Sequence, residues 1–185
     1  MNKDWDDISG LVKQAQGGDE SAMSELITTH KQLIYTITNR MVHNRDTAMD
    51  LTQDTFIKAF LNIKKVKSGR HFRAWLCRIA RNVTYDHFRK VKHQKSVPLE
   101  EVEDYMGVDT TEQKHRSMII QDALDRLTEK DRMLLTLAYY EGFTHDEISE
   151  ALDIPTRNIK VQIHRARLRL RRELEGREHE LLSIQ

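Results

Sequence analysis

Thr144-His145-Asp146-Glu147-Ile148-Ser149-Glu150-Ala151-Leu152-Asp153-Ile154-Pro155 runs directly into Thr156-Arg157-Asn158-Ile159-Lys160-Val161-Gln162-Ile163-His164-Arg165-Ala166-Arg167. Thr144 and Glu147 have capping-box spacing, in which a hydroxyl and a carboxylate each satisfy an orphan amide at a helix start. The helix they open buries Ile148, Ala151 and Leu152 and stops at Asp153-Ile154-Pro155, because the residue before a proline is pushed out of helical geometry. A new helix begins at Thr156. A short helix, a tight turn and a second helix make the helix-turn-helix layout. On a wheel of about 100° per residue, Ile159, Ile163, Ala166 and Leu170 share the packing face. Arg157, Lys160, Val161, His164 and Arg165 take the opposite side. They offer charge for phosphates, forked donors for guanine edges and a methyl-bearing surface for thymine. A solvated basic face, or one resting on anionic lipid, is the competing reading. The cap and turn favour DNA.

Outward from this pair, the bulk numbers fit an all-α protein. The chain has 185 residues, 38% hydrophobic and 32% charged, with 7 Gly and 2 Pro. Few helix breakers and many solvated charges favour helices, and the length suits one domain or two small ones. The single cysteine, Cys77, excludes a disulfide framework and a Cys-rich zinc site, and reads as a small core residue. There is no long apolar run and no basic-then-apolar leader, so a cytoplasmic location without membrane insertion is expected. The net charge of +1 hides segregation. Residues 64–95 hold eleven Lys/Arg against one acid, residues 99–113 hold six acids and no Lys/Arg, and residues 155–172 hold seven Lys/Arg and no acid. Two basic blocks around an acidic stretch suit a polyanionic partner.

Helical periodicity predicts further helices from about Ser21 to Val42, from Asp46 to about Ile63 and from His71 to about Val91. Residues 94–115 lose the period and carry Pro98, Gly107 and six acids, which is a linker signature. Helices resume with Met118–Leu127 and Lys130–Tyr140. The expected layout is a helical domain over 8–93, a linker over 94–115 and a smaller helical domain over 116–178.

The basic loop Lys64–Arg73 leads into the third helix, where Phe72, Trp75, Leu76, Ile79 and Val83 line the apolar face. Arg78, Arg81, Asn82, Tyr85 and Arg89 cluster elsewhere, and guanidinium, amide and aromatic groups interleaved in this way suit opened DNA. In the helix before it, Met49, Phe56, Ala59, Phe60 and Ile63 are expected to form the buried stripe. Asp46, Asp50, Gln53 and Asp54 fall on another face. Three carboxylates raise a metal or acid–base site, but nothing converges on them from elsewhere in the sequence. A protein-docking face is preferred, and no metal, cofactor or catalytic motif is assigned.

Taken together, the motifs resemble the sigma factors of bacterial RNA polymerase, specifically the two-domain extracytoplasmic-function (ECF) group, over about residues 10–175. Asp50-Leu51-Thr52-Gln53-Asp54-Thr55-Phe56 is similar to the family's D-L-x-Q-E-x-F. Phe72-Arg73-Ala74-Trp75-Leu76-Cys77-Arg78-Ile79-Ala80-Arg81-Asn82, then Asp86-His87-Phe88-Arg89-Lys90, is similar to F-x-x-W-L-x-x-I-A-x-N…D-x-x-R-(R/K). Glu147-Ile148 through Leu152, Ile154-Pro155 and His164-Arg165-Ala166-Arg167 resemble domain 4. Where the family commonly has Gly-Thr-Val-(K/R)-Ser-Arg, Arg157-Asn158-Ile159-Lys160-Val161-Gln162 stands instead, which alters the expected base preference but not the fold.

The resemblance implies that Asp46, Asp50, Leu51, Gln53, Asp54 and Phe56 bind core RNA polymerase. It assigns Lys67, Arg70, Arg73, Arg78, Arg81, Asn82, Tyr85, Asp86, Arg89 and Lys90 to the promoter −10 element. It assigns Arg157, Asn158, Lys160, Val161, Gln162, His164, Arg165 and Arg167 to the −35 element. The acidic linker would thread near the polymerase channel, and an anti-sigma factor, often membrane-bound in the family, would hold the chain inactive. The alternatives are a conventional helix-turn-helix regulator acting on duplex DNA without polymerase, which leaves residues 64–90 without a task, and a nuclease, for which no metal-ligand motif is present.

Overall fold

The computed structural model describes residues 3–94 and 111–175, and every regular element among them is helical. The chain runs through α1 (Lys3–Gln16), α2 (Glu20–Val42), α3 (Arg45–Asn62), α4 (Phe72–Gln94), α5 (Thr111–Asp125), α6 (Glu129–Leu135), α7 (His145–Leu152) and α8 (Thr156–Glu175). Two 3-10 turns, Ile63–Lys65 and Gly69–His71, link α3 to α4, and a wide π-type turn, Thr136–Tyr140, follows α6. The five linker carboxylates Glu100, Glu101, Glu103, Asp104 and Asp109 lie outside the described residues, as does the tail after Glu175.

Local chemistry sets most boundaries. Asp19 caps α2 by accepting from Ser21 and Ala22 amides, and Asn44 caps α3 through the Thr47 amide. Both spare an orphan donor at a helix start. Helix α2 ends at His43, which takes the left-handed conformation at φ 50°. In the N-terminal half, Leu26, Ile34 and Ile37 of α2 are fully buried against Ala59 of α3 and Leu76 of α4. Where α2 crosses α3, Thr38 Oγ1 donates to the Ala48 carbonyl at 3.1 Å and lies 3.0 Å from Thr52 Oγ1.

Three expectations need correction. Residues 3–16 form a helix that the periodicity reading passed over, although Ile8, Leu11, Val12 and Ala15 hold the i, i+3, i+4, i+7 spacing and all pack into the core. Helix α5 starts at Thr111, inside the stretch read as linker, because Glu112-Gln113-Lys114 are good helix formers whatever their charge. The buried stripe of α3 is Ala48, Leu51, Thr52, Thr55, Phe56 and Ala59, so Met49 and Phe60 face solvent.

The two halves pack directly on each other. Arg132 of α6, almost wholly buried, donates to the Met41 carbonyl of α2 at 3.0 Å and to the Asp125 carbonyl at 2.9 Å. Its guanidinium also lies 3.2 Å from Asp125 Oδ1, which sits 2.7 Å from His43 Nε2. Burial alone would raise the Asp125 pKa, but the His43 hydrogen bond and charge, Arg132 and the Gln121 amide together hold it below the ordinary value. Further along the seam, Arg40 stacks 3.2 Å above the Tyr140 ring.

Candidate nucleic-acid interface

The helix-turn-helix is fixed by its own polar side chains. The Thr144 amide donates to Glu147 Oε2 at 2.8 Å, and the Glu147 amide returns to Thr144 Oγ1 at 3.3 Å, the reciprocal box read from sequence. Asp153 ends α7 in the left-handed conformation. Ser149 then ties down the turn: its hydroxyl donates to the Ile154 carbonyl at 2.7 Å and accepts from Thr156 Oγ1 at 3.0 Å. Ile159 and Ala166 of α8 are fully buried, with Ile163 and Leu170 partly so, which settles the helix's rotation.

That rotation leaves Arg157, Asn158, Lys160, Val161, His164, Arg165 and Arg167 exposed, with Gln162 at the margin. Among the described residues, Arg157, Lys160, His164, Arg165 and Arg167 have no hydrogen-bonding or ionic partner. One turn further on the situation reverses. Arg169 Nη1 lies 2.7 Å from Asp131 Oδ2 of α6, and Arg171 Nε lies 2.6 Å from Glu175 Oε1. Arg157, Lys160, His164, Arg165 and Arg167 thus form an unpaired run that begins at the helix-turn-helix corner, while further along α8 Arg169 and Arg171 are tied and Arg172 is exposed without a partner among the described residues.

Helix α4 distributes its polar residues less simply than one wheel face predicts. Arg78, Asn82, Arg89 and Lys90 are exposed, and so are Lys67 and Arg70 in the preceding loop. Asp86 accepts from Arg89 and lies 3.9 Å from Lys58 of α3, tying α4 to its neighbour. Arg81 bends back to Asn82 Oδ1, donating at 3.1 and 2.9 Å. Burial lowers the Arg81 pKa and lifts that of the half-buried Tyr85 to about 12, with Asp153, Glu129 and Asp131 of the C-terminal half within electrostatic reach.

Arg73 departs most from its expected role. It donates to the Glu141 carbonyl at 2.7 Å, lies 3.6 Å from Glu147 Oε1 and stacks 4.0 Å from the Phe143 ring centre. Beside it His71 Nδ1 meets Glu150 Oε2 at 2.6 Å. In this arrangement the start of α4 is held by α7 and is not offered to a ligand. Trp75 is partly buried against Phe72, as a core aromatic would be.

The loop before α4 is braced by α1, a contact that sequence reasoning did not foresee. Gln16 Nε2 donates to the carbonyls of Ile63 at 3.1 Å and Val66 at 2.8 Å. Gly69 sits so close to α1 that a Cβ there would fall 2.3 Å from Ser9 Cα. Lys67 and Arg70 are therefore displayed from a pinned loop.

On α3, Asp46, Asp50, Gln53 and Asp54 are exposed, but Leu51 and Phe56 point into the core, at 5% and 8% exposure. Both pack inside the molecule in this structure. The exposed face gains Met49, Ile57, Phe60 and Leu61, all at least half exposed and Leu61 at 73%. The signal that could have revealed this is Thr52 and Thr55. Each donates back to a carbonyl four residues earlier, at 2.7 Å, and so occupies an inward place without an unmet polar group. No group of residues able to hold a metal ion is found among the described residues.

Comparison with known proteins places these features. The sequence pattern described as Sigma-70 region 2 matches residues 26–94, and that described as Sigma-70, region 4 matches residues 117–170. The chain is 32% identical over 180 residues to the ECF RNA polymerase sigma factor SigW of Bacillus subtilis, covering 90% of this chain and 96% of SigW. It is 30% identical to the ECF RNA polymerase sigma factor SigE of Mycolicibacterium smegmatis, covering 92% of this chain and 71% of that protein. In fold it is similar to CnrH, solved in complex with the cytosolic domain of CnrY, with a TM-score of 0.72 at 22% identity over 92% of this chain and 98% of that one. The helical architecture, the helix-turn-helix and these relatives together establish that the chain belongs to the ECF group of sigma-70 family RNA polymerase sigma factors.

Proposed function

We propose that this protein binds core RNA polymerase through the outer face of α3 and directs it to promoters by two separate DNA contacts. The observation that carries this reading is the run of exposed charges Arg157, Lys160, His164, Arg165 and Arg167 beside the helix-turn-helix corner, none of which has a partner among the described residues. In this reading, Arg157 to Arg167 enter the major groove of the −35 duplex. Lys67, Arg70, Arg78, Asn82, Arg89 and Lys90 hold the opened −10 strand, where unstacking a base costs a few kcal/mol that charge neutralisation and polymerase binding offset. Arg73, Arg81 and Tyr85 join them once α7 moves off α4. The exposed Met49, Ile57, Phe60 and Leu61 beside Asp46, Asp50, Gln53 and Asp54 give α3 the mixed apolar and acidic face of a protein-docking site. No catalysis is assigned to this chain; RNA synthesis belongs to the polymerase. No helix among the described residues is long and apolar enough to cross a membrane, and the protein acts in the cytoplasm under an anti-sigma factor that keeps it from polymerase.

The test is transcription in vitro with purified core polymerase on a randomised promoter library. The expected result is enrichment of two short elements at a fixed separation, dependent on this chain, with Asp50→Ala/Asp54→Ala weakening core binding while the fold persists. A chain that selects duplex sites equally well without core polymerase would instead be a conventional helix-turn-helix regulator.

A further inference from the structure

Among Arg157, Lys160, His164, Arg165 and Arg167, which have no partner among the described residues, stands the apolar Val161, 50% exposed; a second exposed apolar residue of this face, Leu168 at 40%, lies two turns further from the helix-turn-helix corner. Val161 lies one turn from Arg157, beside Lys160, and one turn before His164 and Arg165, at the centre of the face that rotation turns away from the core. Its own fold makes little use of it there. A β-branched residue in a helix is slightly unfavourable, and half of its surface is left in water. Val161 has no donor or acceptor, so it binds no phosphate and reads no polar base edge. In the major groove one group on the four bases is apolar, the C5-methyl of thymine. Flanking guanidinium and ammonium groups on longer stems reach past a short valine to the phosphates, which sets α8 deep enough for the valine methyls to meet the groove floor.

We infer that Val161 is a specificity-determining residue that selects thymine at one position of the −35 element by contact with its methyl group. This rests on the assignment of α8 to the −35 duplex. The stiff χ1 of valine aids selection, because little rotamer freedom is lost on contact.

The experiment uses the full chain with core polymerase on a promoter recovered from the randomised library. Each −35 thymine is replaced in turn by deoxyuridine, which removes the methyl and leaves every hydrogen-bonding group in place. At one position the substitution is expected to weaken binding about fourfold, the worth of one buried methyl. With Val161→Ala holoenzyme the same substitution is expected to be neutral. Promoter binding that is normal but indifferent to uracil at every position overturns the inference and leaves the function intact. So does a uracil effect of the same size in wild type and Val161→Ala, or a −35 element recovered without thymine. Failure of the holoenzyme to recognise any promoter overturns the proposed function itself.

Discussion

Gly69→Ala is the substitution whose consequence follows most directly from the geometry. The added Cβ would lie 2.3 Å from Ser9 Cα and 2.6 Å from both its amide nitrogen and its Oγ. Reaching ordinary van der Waals separation requires α1 and the Gly69–His71 turn to part by roughly 1 Å. Neither partner yields easily, because α1 is anchored by the buried Val12 and by the two Gln16 hydrogen bonds. Overpacking of this kind costs about 1–3 kcal/mol, and the upper end applies when the obstacle is backbone. Reduced freedom of the unfolded chain returns about 0.5 kcal/mol. The net loss of about 2 kcal/mol corresponds to about 4–8 °C in Tm for a chain of this length. The same displacement moves Lys67 and Arg70, so permanganate footprinting of the holoenzyme on its promoter should show reduced opening of the −10 region. Ser9→Gly should not rescue the variant, since it removes Oγ and leaves the two backbone atoms in place. A Gly69→Ala protein that melts within about 1 °C of wild type and opens the promoter normally would refute the account of a pinned loop.

Other expectations are briefer. Arg132→Met orphans the Met41 and Asp125 carbonyls and should cost about 3 kcal/mol in urea unfolding, with a change below about 0.5 kcal/mol counting against a buried role. Asp125 has a folded pKa below its unfolded value, so its stabilisation is complete above an unfolded pKa of about 3.9 and is lost as pH falls through the lower folded one. Asp125→Asn should therefore flatten the acid limb of a stability–pH curve, whereas an unaltered acid limb would remove Asp125 from that role. Cys77 is buried and its thiol is pushed up by that burial, so it should resist an aromatic disulfide reagent in the native protein and react fully in denaturant. Rapid native labelling would show that the α4 core opens readily.

What the sequence disclosed was what short-range chemistry controls. Thr144 and Glu147 are three residues apart, and Pro155 acts on its immediate neighbour, so the helix-turn-helix and the outward face of α8 could be read directly. Helix α3 could not be oriented this way, because apolar residues stand on both its faces. The deciding fact, that Thr52 and Thr55 turn inward, depends on a partner helix. Arg73 was legible as a cation on a basic helix, but its engagement by Glu141 and Glu147 joins positions some seventy residues apart. No periodicity encodes that. The same holds for Leu51 and Phe56, whose burial in the core depends on the helices packed against α3.

The way the two halves meet carries one more consequence. Arg73 and Arg132 cross the seam to main-chain carbonyls, those of Glu141 and Met41. A carbonyl is present whatever side chain its residue bears. A substitution at 141 thus leaves the carbonyl that Arg73 uses in place, whereas position 41 is constrained by the core its side chain fills, and a single change at 73 or 132 removes a hydrogen bond outright. At Arg73 the contact also draws on side chains, the Glu147 carboxylate and the Phe143 ring, whereas Arg132 reaches across to α2 through a main-chain carbonyl. A search for variants that loosen the contact between the two halves should therefore begin with Arg73 and Arg132.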